Sequence, residues 1–352
     1  MAIVSFSGVG IKAMAAAVPS NRIDNYAYTQ YFPADEVREV VDKIGVYERR
    51  FADENTCSSD LCFAAAEKLF ADNSIDRSEI DLLVFISQTP DYRMPATSVI
   101  LQHRLGLQNS TIAFDINLGC SGFVVGLNIA YSLAAQSSIR KILLLNGETR
   151  TKVYSFKDRK TGFLFGDAGA ASLIEKSHSV GDSFFVIESD GSKNDYIKIK
   201  CGGYRYPSSS ESFKEIMRND GSIRSDEQGY MDGSGVFEFV ITEVPRQIKN
   251  LYQISGYTKD DIDYFILHQA NKFMNEHLLK KMKIEPAKAP MNLNKYGNTS
   301  SVSIPLTIVS ELQEKIQGKK QKILLSGFGV GLSLASAILD IDKIHICKLT
   351  EL

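Results

Sequence analysis

Asp115-Ile116-Asn117-Leu118-Gly119-Cys120-Ser121-Gly122-Phe123 joins two kinds of sequence pattern. Upstream, Ile112, Phe114 and Ile116 fall on alternate positions, the period of a strand. Downstream, residues 124–135 are small and apolar, which predicts a helix. A cysteine at such a junction points its sulfur out of a tight turn at the positive end of a helix. Backbone N–H groups and the helix dipole there favour thiolate, the reactive form. Glycines at 119 and 122 let backbone and substrate approach closely. The same strand–turn–helix logic presents the serine of many hydrolases. Most free cysteines are simply small buried hydrophobes, so the rest of the chain has to supply partners for this one.

The chain has 352 residues and is 44% hydrophobic, enough for a large core and for two or three domains. Its 40 basic and 42 acidic residues are interspersed and sum to a net charge of −2, so no basic stripe marks a nucleic-acid partner. Five cysteines without a CxxC pair argue against a disulfide framework or a structural metal site, and fit a reducing, cytoplasmic location. The N-terminal run, residues 1–20, has no basic leader and is interrupted by Lys12, so it reads as a first strand and turn, not as a signal peptide. No apolar run approaches the roughly 20 residues that span a bilayer, so no membrane segment is expected. The most polar stretch, Tyr204 to Asp232, reads as an exposed insertion.

Two halves of the chain echo each other. Residues 76–85, centred on Ile80, resemble residues 258–267, centred on Ile262, at an offset of 182. Lys141-Ile142-Leu143-Leu144 resembles Lys322-Ile323-Leu324-Leu325 at an offset of 181. Each half closes with a small-residue strand, residues 170–175 and 334–340. Repeats of this length are duplicated domains, here 1–178 and 179–352. Short β-rich runs alternate with helical patterns in each, the signature of an α/β fold with sheets sandwiched between helices. Gly119-Cys120-Ser121 then matches Gly297-Asn298-Thr299, read as another strand, glycine turn and helix that places Asn298 opposite Cys120. His268 ends the strand 263–267, and catalytic groups in α/β folds cluster at carboxyl ends of strands. The histidines at 103, 178, 277 and 345 have no such placement.

The Cys120 turn, His268-Gln269-Ala270-Asn271, Gly297-Asn298-Thr299-Ser300, Phe165-Gly166-Asp167 and the Gly327-Phe328-Gly329-Val330-Gly331 loop together resemble the thiolase-fold condensing enzymes of the β-ketoacyl-ACP synthase III family. The resemblance covers almost the full length. It implies a thiolase-like five-layered αβαβα sandwich and a homodimer. It also implies catalytic roles for Cys120, His268 and Asn298, with backbone N–H groups of Cys120 and Val330 holding the oxyanion. The family usually has glycine where Val330 stands, and a β-branched residue restricts the backbone. Elongating synthases pair the cysteine with two histidines, and thiolases carry a second cysteine in the C-terminal glycine loop. This chain offers one histidine and an asparagine, and Cys347 lies past the expected final strand.

The implied reaction is a decarboxylative Claisen condensation of a Cys120-bound acyl group with malonyl-ACP, needing neither metal nor redox cofactor. The primer would arrive on acyl-CoA or on acyl carrier protein. In the family a tryptophan and an arginine clamp the CoA adenine; here the first position is Glu39, and only Arg159 matches. Lys280 and Lys281 match basic positions that greet the carrier protein, Lys272 lies beside another, and Glu238 replaces a third. Met94 stands where the family often has phenylalanine, on a loop reaching the partner subunit's acyl pocket, and Phe165 and Met231 match further acyl-pocket positions. Two other readings remain open on sequence alone: an acyltransferase that passes the acyl group to an oxygen, nitrogen or aromatic acceptor, and a non-catalytic partner subunit.

Overall fold

The computed structural model describes residues 2–136, 138–177 and 179–352. Two mixed sheets carry the fold. In the first, Val9–Val18, Asp167–Lys176, Lys141–Thr149, Leu82–Ile86 and Ile112–Ile116 lie side by side in that order. In the second the order is Ala2–Phe6, Ser183–Ser189, Ser333–Asp342, Lys320–Gly329 and Tyr264–Leu267. The pairing directions repeat as well. Lys141–Thr149 runs parallel to Leu82–Ile86 and antiparallel to Asp167–Lys176, just as Lys320–Gly329 runs parallel to Tyr264–Leu267 and antiparallel to Ser333–Asp342.

Helices Gly122–Ala134 and Ser303–Ile316 fill the space between the sheets. Their flanks must be apolar on nearly every side, because each helix meets a sheet above and a sheet below. That is why the stretch after Cys120 reads as small and apolar without a polar face. Helices Ser58–Asn73 and Thr97–Arg104 cover the outer face of the first sheet, and Gly233–Ser255 and Lys272–Met282 that of the second. The result is the expected thiolase-like α/β sandwich of five layers.

The chain ends cross between the halves. Ala2–Phe6 pairs with Ser183–Ser189 in the second sheet, while His345–Ile346 and Thr350–Glu351 both pair with Val9–Val18 in the first. The expected division at 178 therefore does not follow sheet membership at either end, and His178 itself lies outside the described residues. The N-terminal run is two strands in different sheets, hinged at Gly8 with φ of 70°. Cys347 does not lie past the last strand. It sits between His345–Ile346 and Thr350–Glu351 and packs under helix Ser58–Asn73.

Two further expectations change. Residues 293–296 form a single helical turn, not a strand. The helix that mirrors Gly122–Ala134 begins at Ser303, 181 residues later, so Asn298 precedes the symmetric helix start. The 204–232 insertion is exposed over Tyr204 and Met217 but is anchored by a buried ion pair, Arg224 Nη1 to Asp158 Oδ2 at 2.9 Å.

Candidate active site

Cys120 lies in the turn ahead of helix Gly122–Ala134, and its side chain is buried against the glycine loop that ends Lys320–Gly329. A Cβ on Gly329 would stand 2.7 Å from the Cys120 sulfur, and φ there is 152°, so only glycine lets the loop pass this close. Val330 follows, with its N–H directed at the sulfur. The valine at this position finds its room beside Gly119, where a Cβ would meet Val330 Cγ1 at 2.6 Å. Ser333 Oγ donates to the Val330 carbonyl at 2.9 Å and meets Ser121 Oγ at 2.6 Å, which ties the loop to the nucleophile turn.

His268 caps the end of strand Tyr264–Leu267 and is buried. Its Nδ1 lies 2.7 Å from Ser303 Oγ, and Phe328 packs edge-on against its ring at 5.4 Å. With Nδ1 engaged, Nε2 is the nitrogen left for the cavity. The following residues hold the loop: Gln269 Oε1 accepts from Asn292 N–H at 3.2 Å, and Asn271 Oδ1 caps the helix Lys272–Met282 at Met274 N–H, 2.8 Å. Asn298 is fixed by an isolated backbone bridge to Phe165 and by Ser300 N–H, which donates to its Oδ1 at 2.9 Å. The Oδ1 is thereby used, and Nδ2, 3.4 Å from the Ala270 carbonyl, keeps a proton for the cavity.

Cys120, His268, Asn298 and Val330 line one cavity together with Phe165, Met231, Tyr154 and Arg150. Burial works against a thiolate here. The charge of His268, a hydrogen bond to its ring, the Arg150 guanidinium and the Val330 N–H outweigh it and bring the Cys120 thiol down to about 6. Two other thiols behave oppositely: burial pushes up Cys62 and Cys347, the latter to about 12.

The residues expected at the rim are spread out. Met94 is 77% exposed and does not line this cavity within the chain. Arg159 Nη1 pairs with Glu36 Oε2 at 2.7 Å, and its guanidinium lies 5.6 Å from the Phe32 ring, so it is already engaged. Lys272 is half-buried at the start of its helix, whereas Lys280 and Lys281 are exposed near its end, where Lys281 Nζ donates to the Ile241 carbonyl at 2.7 Å. Glu238 is exposed on the neighbouring helix.

Sequence reasoning missed Glu148, Arg150, Tyr154 and Ser303. Glu148 and Arg150 stand at the carboxyl end of Lys141–Thr149, the position that singled out His268 on its own strand. Burial raises the Glu148 carboxyl to about 7 against the pull of Arg150. Asp72, His345 and Cys347 also bring ligand atoms within 4.8 Å of one another, remote from this cavity. No helix among the described residues is long and apolar enough to cross a membrane.

Two family models match the chain: 3-oxoacyl-[acyl-carrier-protein] synthase III over residues 114–191 and its C-terminal region over residues 253–341. A β-ketoacyl-[acyl-carrier-protein] synthase III 2 of Staphylococcus epidermidis is 34% identical over 332 residues, 94% of this chain and 97% of the relative. A putative 3-oxoacyl-[acyl-carrier-protein] synthase 3 of Campylobacter jejuni is 35% identical over 303 residues, 86% of this chain and 84% of the relative. The crystal structure of a 3-oxoacyl-(acyl-carrier protein) synthase from Burkholderia xenovorans superposes with a TM-score of 0.94 at 38% identity, covering 100% of this chain and 99% of the other.

Proposed function

Since the chain belongs to the 3-oxoacyl-[acyl-carrier-protein] synthase III family, we propose that it makes a β-ketoacyl thioester from a Cys120-bound acyl group and malonyl-ACP, the initiating condensation of fatty-acid synthesis. The observation that carries this reading is the single cavity that joins Cys120, depressed to about 6, with His268, Asn298 and the Val330 N–H.

In the first half-reaction the Cys120 thiolate attacks the carbonyl carbon of an acyl thioester. A new S–C bond forms, the oxyanion takes N–H donation from Cys120 and Val330, and the donor C–S bond breaks. The donor sulfur leaves as a thiol with the proton that the His268–Cys120 pair had kept, and the imidazole, now neutral, exchanges to the tautomer that carries its proton on Nε2, with Nδ1 accepting from Ser303 Oγ. Malonyl-ACP then binds with its thioester oxygen between His268 Nε2 and Asn298 Nδ2. Loss of CO2 moves the electron pair of the broken C–C bond into an enolate, whose oxygen these two donors stabilise. The enolate carbon attacks the acyl carbonyl, the S–C bond to Cys120 breaks to regenerate thiolate, and one proton from solvent restores the charged partner at His268. Every charge that develops has a protein donor in place, so the scheme uses neither metal nor redox cofactor.

A carrier-protein primer suits the rim better than acyl-CoA, because Arg159 is paired with Glu36 and Glu39 replaces the other half of an adenine clamp. Lys272, Lys280 and Lys281 offer positive charge to an acidic carrier. A cytoplasmic homodimer completes the reading. Met94 is an exposed methionine, and Ile112–Ile116 is an edge strand with Ile112 51% exposed, both surfaces that a second copy would cover.

The test is incubation with acyl thioesters and malonyl-ACP, following CO2 release and β-ketoacyl product. The expected result is stoichiometric coupling of the two and loss of both the Cys120 adduct and product in Cys120→Ala. Acylation of Cys120 without CO2 release from malonyl-ACP would sink the condensing reading.

A further inference from the structure

Arg150 is out of place among the cavity's neighbours. It is 5% exposed, and it is the one lining residue among those described with a permanent charge. Beside it lie Tyr154, Leu164, Phe165, Val236 and Met231, which together make an apolar wall. Its own partners are weak. Nη2 donates to Tyr154 Oη at 3.1 Å and Nη1 to Gln88 Oε1 at 3.4 Å, both neutral. The nearest carboxylate oxygen, Glu148 Oε2, is 3.9 Å from Nη1, beyond hydrogen-bond reach. Nε has no partner at all. The guanidinium face packs on the rings of Tyr154 at 5.2 Å and Phe165 at 5.5 Å, which holds it in place and leaves its edge for a ligand.

A guanidinium carries five N–H donors, and a buried one that lacks a hydrogen-bonded anion is costly to the fold. Arg150 helps hold Cys120 as thiolate, but that role ends when the sulfur is acylated and its charge is gone. The acyl-enzyme would then keep a buried cation without its counter-charge, on the wall that faces the acyl chain. Resting on the acyl-enzyme reading above, we infer that Cys120 accepts a short acyl group bearing a hydrogen-bond-accepting oxygen function, a carboxylate foremost, which Arg150 binds through its free edge. The chain would run from Sγ past Phe165, and its terminal oxygens would supply the acceptors that Glu148 is too distant to give.

Three acyl groups with the same number of heavy atoms test this: succinyl, 4-oxopentanoyl and 4-methylpentanoyl. Each is offered as CoA and as carrier-protein thioester, and the rate of mass increase on Cys120 is read by intact-protein and peptide mass spectrometry. The wild-type protein is expected to take the two oxygenated groups at least about tenfold faster than the hydrocarbon, with succinyl first if a carboxylate is the preferred form. Arg150→Met is expected to invert the order, and Arg150→Lys to retain part of it. The wild-type comparison needs no variant to fold. If 4-methylpentanoyl loads as fast as or faster than both oxygenated groups, this inference fails while the condensing reading stands. If neither these three nor acetyl thioesters modify Cys120, both fail.

Discussion

Replacing His268 by alanine should move the titration of Cys120, and the structure sets the size of the shift. A free cysteine titrates near 8.5, whereas Cys120 is held at about 6 although it is buried. The difference is about 2.5 units, or about 3 kcal/mol in favour of thiolate at 1.36 kcal/mol per unit. At neutral pH that corresponds to about 90% thiolate, against about 3% for an ordinary cysteine. Burial opposes the shift, and the two largest opposing contributions are the charge of His268 and its hydrogen bond. His268→Ala removes both and leaves only Arg150 and the Val330 N–H against burial, so the midpoint should rise to about 8.5 or beyond. The assay is the rate of iodoacetamide modification of the Cys120 peptide as a function of pH. The rate at one pH would mislead, because thiolate nucleophilicity grows with pKa, with a slope of about 0.4–0.5, and offsets much of the lost thiolate. The midpoint is free of that compensation. Cys347, pushed up to about 12, serves as an internal control that should stay unreactive across the range. A wild-type midpoint near 8.5, or one unmoved by His268→Ala, would refute the ion-pair account.

Other outcomes follow from the same geometry. Asn298→Ala removes one of two donors on the enolate oxygen. Decarboxylation of malonyl-ACP should fall by about 10²–10³, while acyl loading of Cys120 stays within about threefold. Gly329→Ala would place a methyl group 2.7 Å from the Cys120 sulfur at φ 152°, so loading should be lost and the melting temperature lowered, as read by mass spectrometry and circular dichroism. Glu148 has a folded-state value raised to about 7, so its protonated form stabilises the fold. That contribution is full below the unfolded value of about 4.3 and disappears as pH rises through 7. Glu148→Gln should therefore gain on wild type by roughly 2–4 kcal/mol in urea melts between pH 5 and pH 8. Arg224→Ala leaves Asp158 buried and unpaired and should cost about 3–5 kcal/mol, detected as an earlier urea midpoint with the insertion opened to protease.

The sequence shows the layered frame because it is written twice. Matching strands such as Leu82–Ile86 and Tyr264–Leu267 keep nearly the same apolar run, and a helix buried on two sides has to be apolar on two sides. Cys120 and His268 stand out because each ends or follows a strand in that frame. Asn298 was found through a frame displaced by a few residues. The symmetric counterpart of the helix after Cys120 starts at Ser303, and a short helical turn takes the place of the expected strand. Arg150 left no periodic signal: its importance comes from burial, and arginine is a residue whose burial the sequence does not announce. The two-strand N-terminus was hidden for a related reason. Residues 2–18 are apolar almost throughout, and only the Ser7-Gly8 pair marks where the chain leaves one sheet for the other.

The crossing of the chain ends bears on how the protein is made. Val9–Val18 precedes the other strands of its sheet in the chain, yet its outer edge is closed by His345–Ile346 and Thr350–Glu351, far downstream of them all. Leu352 N–H donates to the Val18 carbonyl at 3.0 Å, Ser20 N–H donates to the Leu352 carbonyl at 2.8 Å, and Glu351 joins Arg22 and Arg50 at 2.8 and 3.0 Å. The sheet that carries the nucleophile turn thus stays open on one side until those downstream residues have been made. A nascent chain can collapse around Gly122–Ala134 but cannot finish its first sheet, so a truncated product would expose a ready edge for aggregation and degradation before it could present an assembled thiol.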